Sequence, residues 1–293
     1  MDESKILIIG AYGQLGKALQ AQYPGAVAVD RDTFDMTDWQ FISSYDWSNV
    51  EVILNAAAYT NVDGAETAEG RAAAWKINAT GPGYLAKIAS QHDITLVHIS
   101  SDYVFDGTLV PHTETEDYTP LGVYGQSKAA GDIAVSIAPK HYILRTTWLI
   151  GDGPNFVRTM MSLAAKDISP TVVSDQIGRL AFTDTLVGAI HHVLSEQAEP
   201  GIYNVTGDGE PASWADITRA IFTELGRDDL TVTDTSTEQY FADKTAQGAA
   251  ISPRPLQSAM DLTKIKATGY TLPQWRDDLA AYIKQELAKA KEH

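Results

Sequence analysis

The residue types best suited to chemistry lie in a stretch that ends at Lys128. Tyr124 and Lys128 are four residues apart, so their side chains share a face if the segment is helical. Ser101 is the second serine of a pair that follows an apolar run, residues 95–99. A free phenol has a pKa near ~10, and a neighbouring ammonium shifts that pKa toward the range useful for acid–base catalysis. The trio could therefore give a proton to a carbonyl oxygen that the Ser101 hydroxyl holds in place.

A glycine-rich turn near the start supports this interpretation, because a Tyr–Lys spacing alone also recurs by chance. The apolar run KILII, residues 5–9, is typical of a strand buried on both faces of a parallel sheet, and an amphipathic helical pattern follows the turn. Glycines allow a tight turn and let a pyrophosphate approach the helix N-terminus, which favours a dinucleotide. The spacing is G-x-x-G-x-x-G, unlike the G-x-G-x-x-G of many dehydrogenases. The turn residues predicted to contact a cofactor are Gly10, Gly13, Gln14, Leu15 and Gly16.

Two further strand ends bear on the cofactor. The second predicted strand, residues 26–29, ends at Asp30 and Arg31. An acid at this position can bind the adenosine ribose hydroxyls, and the arginine could instead pair with a 2′-phosphate, so the choice between NADPH and NADH stays open. The third strand, residues 52–54, leads into the small residues of NAAAYT, residues 55–60. Small residues there let a flat ligand lie against the backbone, and they also allow close helix packing.

The order of predicted elements indicates an α/β fold with a Rossmann-like, doubly wound parallel sheet. Further strands are predicted at residues 95–99 and 142–144, and a helix at 66–91 with an interruption at Gly81-Pro82-Gly83. We expect residues 1–150 to form a dinucleotide-binding domain. Residues 151–293 are expected to form mainly a smaller C-terminal α/β substrate domain, with some later segments returning to the first, and to close with a helix from Pro273 to Lys291.

Composition excludes several functional classes. The 293 residues carry a net charge of −16, which disfavours binding to nucleic acid or to an anionic membrane surface. The absence of cysteine rules out a disulfide framework and a thiolate metal site, and no other metal motif is evident. The polar start of the sequence is unlike a secretory signal, and no run of ~18 apolar residues predicts a membrane span. We expect a soluble cytoplasmic protein.

Several of these motifs together resemble the extended short-chain dehydrogenase/reductases and, more narrowly, the dTDP-4-dehydrorhamnose reductase family. The strings NAAAYTNVDGAE (55–66) and SSDYVFDG (100–107) carry most of the resemblance, with shorter matches at VYG (123–125), RTTW (145–148) and RPLQS (254–258). They cover nearly the whole chain in the expected order. Two positions depart from the family pattern: Ser101, where many members have threonine, and Arg179, which lies close to where a proline is common.

The resemblance implies reduction of the C4 ketone of dTDP-4-dehydro-L-rhamnose to dTDP-L-rhamnose by NADPH or NADH. Tyr124 would donate the proton, Lys128 would lower the pKa of Tyr124 and hold the nicotinamide ribose, and Ser101 would bond the ketone oxygen. Arg254, between two prolines, could hold the substrate diphosphate in a planar fork. Implied cofactor contacts beyond the glycine turn are Asp30, Arg31, Asp35, Met36, Ala57, Ala58, Tyr59, Thr60, Tyr124 and Lys128. Implied substrate contacts are Ser101, Asp102, Tyr103, Trp148 and Arg254.

Two other functions remain open from the sequence. One is a sugar-nucleotide epimerase or dehydratase of the same fold, which would recycle a tightly held NAD. The other is a non-catalytic regulatory subunit, since the regulatory beta subunit of methionine adenosyltransferase resembles this reductase family. The intact Ser101, Tyr124 and Lys128 set weighs against the second. Some family members are homodimers with a divalent ion between subunits, so the resemblance leaves a homodimer open.

Overall fold

A computed structural model describes residues 1–290, and a six-stranded parallel sheet forms its centre. The strands of this sheet are β1 (Ile6–Ile9), β2 (Val27–Val29), β3 (Val52–Asn55), β4 (Thr95–Ser101), β5 (His141–Thr146) and β10 (Gly201–Asn204). Their spatial order is β10-β5-β4-β3-β1-β2, and every pairing in this sheet is parallel. The predicted α/β fold with a doubly wound parallel sheet is therefore confirmed.

Helices cover both faces of the sheet because successive residues of its inner strands point to opposite sides. In β1, Ile8 joins a core cluster with α1 and α7, whereas Leu7 joins a second cluster with α2 and α4. Helix α5 packs along β4 on the second face. The helices up to this point in the chain are α1 (Gln14–Gln22), α2 (Trp39–Ser44), α3 (Ala68–Trp75), α4 (Gly81–His92) and α5 (Val123–Val135), and α7 spans Thr183–Ser195.

The chain order places a switch point between β1 and β3. From β1 the chain moves outward to β2 and then returns to β3 on the other side of β1. Crossover connections on opposite sides leave a crevice at the carboxyl ends of the two neighbouring strands, where ligands bind in sheets of this type. The glycine turn follows β1 at this crevice, and the NAAAYT segment follows β3.

The C-terminal half builds a third core cluster from short strands and helices. Its strands are β6 (Leu149–Ile150), β7 (Thr171–Val173), β8 (Ile177–Gly178), β9 (Ala181–Phe182), β11 (Ala212–Ser213) and β12 (Thr233–Thr235). Its other helices are α6 (Phe156–Ala164), α8 (Trp214–Glu224), α9 (Thr237–Ala246), α10 (Thr263–Ala267) and α11 (Trp275–Lys289). Strand β10 leaves this half and pairs with β5 in the central sheet. Within residues 1–290, no helix has the length and apolar character needed to cross a membrane.

Several local predictions differ from the structure. The helix expected over residues 66–91 is not interrupted at Gly81-Pro82-Gly83: a π-helical turn, Lys76–Thr80, joins α3 to α4 just before them. Pro82 is accommodated because it lies in the first turn of α4, where a backbone N–H would have no intrahelical acceptor. Helices α9 and α10 were not predicted. The predicted end of the last helix at Lys291 lies outside the described residues.

Candidate active site

Strand β4 and helix α5 position the predicted trio. Ser101 is the last residue of β4, and α5 places Tyr124 in its first turn and Lys128 one turn later. The start of α5 is fixed by Glu66, whose Oε1 accepts a hydrogen bond from the Val123 N–H at 2.9 Å. The Ser101 hydroxyl lies close enough to Tyr124 to lower the pKa of the phenol. The structure therefore brings the serine and the tyrosine together at the carboxyl edge of the sheet.

A glycine lets α5 approach this edge. A Cβ at Gly125 would collide with the carbonyl oxygen of Tyr103, which lies in the 3₁₀ turn Asp102–Val104 directly after β4. The close approach sets the rings of Tyr103 and Tyr124 edge to face, with centroids 5.3 Å apart. The predicted substrate contact Tyr103 is thus a direct neighbour of the predicted acid.

The acidity of Tyr124 differs from the expectation. Burial raises the pKa of Tyr124 to about 12, and the nearby Ser101 hydroxyl opposes this only in part. The prediction that Lys128 draws this pKa below that of a free phenol is wrong for this arrangement. The Lys128 Nζ instead donates to the Ile99 carbonyl oxygen at 2.5 Å and lies 3.4 Å from Nε2 of His98. Tyr124 consequently keeps its proton at neutral pH.

Lys128 itself is unusually acidic for a lysine. Its side chain is buried, with 2% of the residue exposed, and burial lowers the pKa of Lys128 to about 8. The carboxylate of Asp132, one turn further along α5, opposes this by favouring the charged form. A lysine with a pKa near the working pH can change its charge during turnover.

Ser101 has a second partner in Asp102. Its Oγ donates to Asp102 Oδ1 at 2.9 Å and accepts from the Tyr103 N–H at 3.2 Å. Burial raises the pKa of Asp102 to about 6, against the opposing effect of the nearby Ser258 and Ser101 hydroxyls. Ser258 of the C-terminal half therefore lies close to this carboxyl.

The glycine turn has the form that a pyrophosphate requires. Gly10 has φ +85°, and a Cβ there would come within 2.6 Å of the Ala57 nitrogen across the crevice. A Cβ at Gly13 would meet only the Gly10 carbonyl oxygen, at 3.4 Å, so the outer side of the turn is open. Gln14 and Leu15 begin α1, and the first N–H groups of a helix have no intrahelical acceptors. These residues therefore fit a dinucleotide phosphate.

The residues after β2 have distinct positions. Asp30 ties its own strand end to the glycine turn, because its two carboxylate oxygens accept from the N–H groups of Tyr12 (3.0 Å) and Arg31 (2.7 Å). The Arg31 side chain is exposed beside it, 3.8 Å from Asp32. Asp35 and Met36 are the next predicted cofactor contacts. The Asp35 carboxylate accepts hydrogen bonds from the N–H and the hydroxyl of Thr37, just before α2.

Met36, the other neighbouring predicted contact, is placed differently. It is 5% exposed and lies in the hydrophobic core, packed near Gly81. The Met36 side chain therefore packs into an apolar cluster that also includes Ala57.

The segment after β3 is held by Asn78 from the π-helical turn. Asn78 Oδ1 accepts from the Tyr59 N–H at 2.8 Å, and its amide donates to the Tyr59 carbonyl oxygen at 3.1 Å. Both bonds fix the backbone of Tyr59 at the end of this segment. Tyr59 and Tyr124 pack against the same small cluster, whereas Thr60 is exposed beside it. The backbone of Ala57 adjoins Gly10 of the glycine turn, and Ala58 follows it as a half-buried residue.

The predicted substrate contacts Trp148 and Arg254 lie in two different environments. Trp148, with φ 42°, stacks on Trp214 with centroids 3.9 Å apart and remains half-buried. The Arg254 guanidinium donates to Asp63 Oδ1 and to the Ser252 carbonyl oxygen, both at 2.7 Å. Arg254 is nonetheless close enough to lower the pKa of Tyr103 against the larger effect of burial. Two of its five donors are thus committed to the protein itself.

Sequence reasoning missed the residues that hold these elements together. Asp63 and Glu66 both bind the segment around Ser252: Asp63 accepts from the Ser252 N–H at 3.0 Å, and Glu66 accepts from its hydroxyl at 2.9 Å. Both acids belong to the NAAAYTNVDGAE string, so their position in a family motif was the available signal. Arg179, the departure from the family pattern, donates to the carbonyl oxygens of Gly209 and Met260. Among residues 1–290, no group of three or more His, Asp or Glu side chains could hold a metal ion.

Comparisons with known proteins agree with this arrangement. The family model described as "RmlD substrate binding domain" matches residues 4–288. A dTDP-4-dehydrorhamnose reductase of Aggregatibacter actinomycetemcomitans is 37% identical, over 93% of this chain and 96% of its own. The crystal structure of such a reductase from Clostridium acetobutylicum has a TM-score of 0.88 at 34% identity, covering 96% of this chain and 99% of the other. A dTDP-4-dehydrorhamnose reductase from Bacillus anthracis, solved in complex with NADP, has a TM-score of 0.85 at 31% identity, with coverages of 96% and 98%.

Proposed function

The chain belongs to the RmlD substrate binding domain family, and we propose on that premise that it is an NAD(P)H-dependent dTDP-4-dehydrorhamnose reductase. It reduces the C4 ketone of dTDP-4-dehydro-L-rhamnose to the alcohol of dTDP-L-rhamnose. One observation carries the proposal: the Ser101 hydroxyl and the Tyr124 phenol adjoin at the carboxyl end of β4, with buried Lys128 one helical turn away. The glycine turn lies at the same edge of the sheet.

The chain's own residues supply the proton and hold the substrate. Tyr124, protonated at neutral pH, donates its proton to the ketone oxygen as negative charge develops there. Ser101 bonds the same oxygen by redirecting the hydroxyl proton that it otherwise shares with Asp102. The ammonium of Lys128 stabilises the phenolate that Tyr124 becomes, and the aromatic faces of Tyr103 and Trp148 suit a sugar ring.

The cofactor is held by the glycine turn, the end of β2 and the segment after β3. When bound, a reduced nicotinamide supplies the hydride. Asp30 suits the ribose hydroxyls of NADH, and exposed Arg31 offsets the repulsion of Asp30 for a 2′-phosphate, so the site accepts NADPH as well. Lys128 contributes to binding the nicotinamide ribose.

A coupled assay tests the function. Purified protein is mixed with dTDP-4-dehydro-L-rhamnose and NADPH or NADH, and cofactor oxidation is followed by absorbance while the sugar product is separated by chromatography. Stoichiometric oxidation with formation of dTDP-L-rhamnose is the expected result. Conversion of a dTDP-sugar without net oxidation of added cofactor would instead identify an epimerase or dehydratase. If neither occurs although NADPH binds, the chain is not an enzyme of this class.

We further place the reaction in the cytoplasm, where nucleotide sugars and reduced nicotinamides are made and used. A homodimer is the assembly expected by analogy with some family members. Light scattering at working concentration measures this directly, since the monomer mass is 31.8 kDa.

A further inference from the structure

A row of buried polar side chains lies between the central sheet and α5. The row consists of Asn55 on β3, His98 on β4, Arg145 on β5, and Lys128 and Asp132 on α5. None of these residues is more than 2% exposed. The proposed chemistry uses only Lys128, so the function of the neighbouring His98, three residues before Ser101, is unexplained. Polar groups in such a setting must be hydrogen-bonded, and their donors and acceptors must match.

The hydrogen bonds of this row run in one direction. Asn55 Oδ1 accepts from the backbone N–H of Ala57 at 3.2 Å, and because a backbone N–H can only donate, it fixes the orientation of the amide. The Asn55 Nδ2 therefore donates to Nδ1 of His98, at 3.1 Å. A neutral imidazole has a single N–H, so His98 carries its proton on Nε2. That nitrogen lies 3.4 Å from Nζ of Lys128.

This direction disfavours the ammonium form of Lys128. An N–H group that faces an ammonium sets two donors against each other, whereas a neutral amine can accept from Nε2–H and still donate to the Ile99 carbonyl oxygen. Moving the proton to Nδ1 of His98 would set that N–H against the Asn55 amide nitrogen. Turning the amide over would set the same amide nitrogen against the Ala57 N–H. The backbone thus fixes the whole chain of bonds.

Charged and titratable groups face Lys128 from several packed elements. On α5, Asp132 favours the ammonium, but its carboxylate also pairs with Arg145 of β5, with Oδ2 and Nε 3.2 Å apart. Tyr124 on the same helix is neutral because burial raises its pKa. Burial, with the charge of Lys128, lowers the pKa of His98 well below its usual value, so the ring stays neutral. The groups from β3 and the π-helical turn, Asn55 and Asn78, do not titrate.

We propose that His98 is a positioning residue: Asn55 holds its Nε2–H against Lys128, which destabilises the charged form of Lys128 and eases release of its proton. The inference rests on the proposed reductase function, in which the charge of Lys128 acts on Tyr124. In that reaction His98 sets the pH range over which the charge of Lys128 is available.

The first test measures the tautomer directly in the wild-type protein. Protein labelled with ¹⁵N on histidine is studied by long-range ¹H–¹⁵N correlation, which distinguishes a protonated ring nitrogen from a bare one. The His98 signals are identified by their absence from His98→Asn and by their contact with the Asn55 amide. We expect a neutral Nε2–H ring that does not titrate between pH 6 and pH 9. An Nδ1–H ring or an imidazolium would overturn the proposal, whatever the activity of the protein.

The second test follows the alkaline limb of kcat/KM for the sugar nucleotide at saturating NADPH. His98→Asn keeps an acceptor near the Nδ1 position and deletes Nε2–H. If the alkaline limb of the wild type has its midpoint near pH 8, kcat/KM at pH 9 is roughly a tenth of its plateau value. If the midpoint of the variant lies about one unit higher, its kcat/KM at pH 9 is roughly half of the plateau value. An unchanged limb, or one displaced to lower pH, would refute the role of His98.

Val97→Ala serves as the matched control. Val97 is the preceding residue of β4, is equally buried and packs on the opposite face of the sheet. Val97→Ala should lower the unfolding temperature without moving the alkaline limb of kcat/KM. If the limb moves only in His98→Asn, weakened packing is not the cause. Wild-type turnover of a different dTDP-sugar would disprove the proposed substrate but leave the tautomer result intact, which separates the two failures.

Discussion

Tyr124 retains its proton because its surroundings oppose the phenolate more than any neighbour favours it. Burial is the larger effect, and the Ser101 hydroxyl is the smaller one. A phenol that stays protonated is suited to donate in the reductive direction, where the ketone oxygen gains charge. In the proposed reaction, the charge of Lys128 favours the phenolate that remains after the transfer.

Tyr124→Phe should therefore abolish most turnover while leaving cofactor affinity close to wild type. The change removes only the hydroxyl, and general acid catalysis contributes ~10²–10⁴-fold to rate. Steady-state assays and fluorescence titration with NADPH measure the two effects. Tyr142→Phe is the control, since it removes a tyrosine hydroxyl that bonds the Ala198 carbonyl oxygen, far from the trio. Retention of more than about a tenth of turnover in Tyr124→Phe would remove the acid role from this residue.

Asp102→Asn should be more stable than wild type, by a difference that grows as the pH rises from 3.8 to about 6. The folded-state pKa is raised, so the native protein holds a proton that the unfolded chain has already lost, and wild type loses stability across this window. The full effect is on the order of 2–3 kcal/mol, and an amide mimics the protonated acid without titrating. The measurement is the unfolding temperature of both proteins at several pH values. A difference independent of pH would show that Asp102 titrates normally.

At this scale, residue types were predictable from the sequence and their charge states were not. Ser101, Tyr124 and Lys128 were identified from spacing and resemblance. The pKa of Tyr124 was predicted in the wrong direction because it depends on burial, and burial is set by α5 packing onto Tyr103. The bond from Asn55 to His98 depends on strand register, in which these two residues are direct partners on β3 and β4. No sequence pattern of either strand alone reports that register.

Helix α5 is the element whose docking decides the site. Its first turn approaches the chain after β4 at a glycine, and its first N–H is held by an acid from the segment after β3. A displacement of this helix moves Tyr124 and Lys128 together relative to Ser101. Small displacements of catalytic groups are costly, because proton transfer needs hydrogen-bond distance.

Gly125→Ala should lower both stability and kcat, and Gly83→Ala should lower neither. Both glycines are helical, so alanine alone would add up to ~1 kcal/mol of helix propensity. A Cβ at Gly125 collides with the Tyr103 carbonyl oxygen, whereas a Cβ at Gly83 makes an ordinary 3.5 Å contact with Ala134. Thermal unfolding and steady-state kinetics report both quantities. Equal behaviour of the two variants would show that α5 can shift without consequence.

The sequence predicted the elements with apolar stripes better than the polar ones. The first five strands of the sheet were expected near their observed bounds. Helix α9 was missed because most of its residues are exposed, as in TEQYFADKTA, and no apolar stripe marks it. An interruption of the helix was expected at Gly81-Pro82-Gly83 because glycine and proline usually mark breaks, but α4 begins there without one. Here the extra residue is accommodated one turn earlier, where Asn78 bonds the Tyr59 backbone.

The molecule as a whole repels anions, yet its proposed substrate carries a diphosphate. The net charge of −16 makes a local cation necessary, and Arg254 lies near Tyr103 in the segment that Asp63 and Glu66 bind. This segment connects the C-terminal half to the N-terminus of α5. A substrate bound by a cation here would therefore contact the same segment that connects the two halves.

Arg254→Ala should raise the KM of the sugar nucleotide roughly tenfold or more, with kcat and the cofactor KM nearly unchanged, since a charge-assisted bond to a remote diphosphate stabilises ground and transition states alike. Asp63→Asn is the matched variant, because its amide oxygen can still accept from Ser252 and Arg254 while releasing the guanidinium from a competing charge. It should leave KM unchanged or lower it. A raised KM in both variants would mean that Arg254 acts only by holding the segment in place.

The boundary between the two halves is the feature that the sequence predicted least well. A first unit of residues 1–150 was expected, with later segments returning to it, but the returning segments could not be identified. Strand β10 has the apolar character of any short strand, and only its pairing with β5 assigns it to the central sheet. Helix α7, which covers α1 in the core, returns in the same way.

The position of β10 has a consequence for synthesis. The ribosome releases the other five strands of the sheet by residue 146, but the outer edge of β5 stays open until residues 201–204 emerge. An open edge of a largely apolar sheet offers its unpaired backbone groups to other nascent chains. Throughout this interval of more than fifty residues, the growing chain is therefore exposed to such pairing. A pause in translation within that interval should lower the yield of folded protein more than a pause of equal length after residue 204.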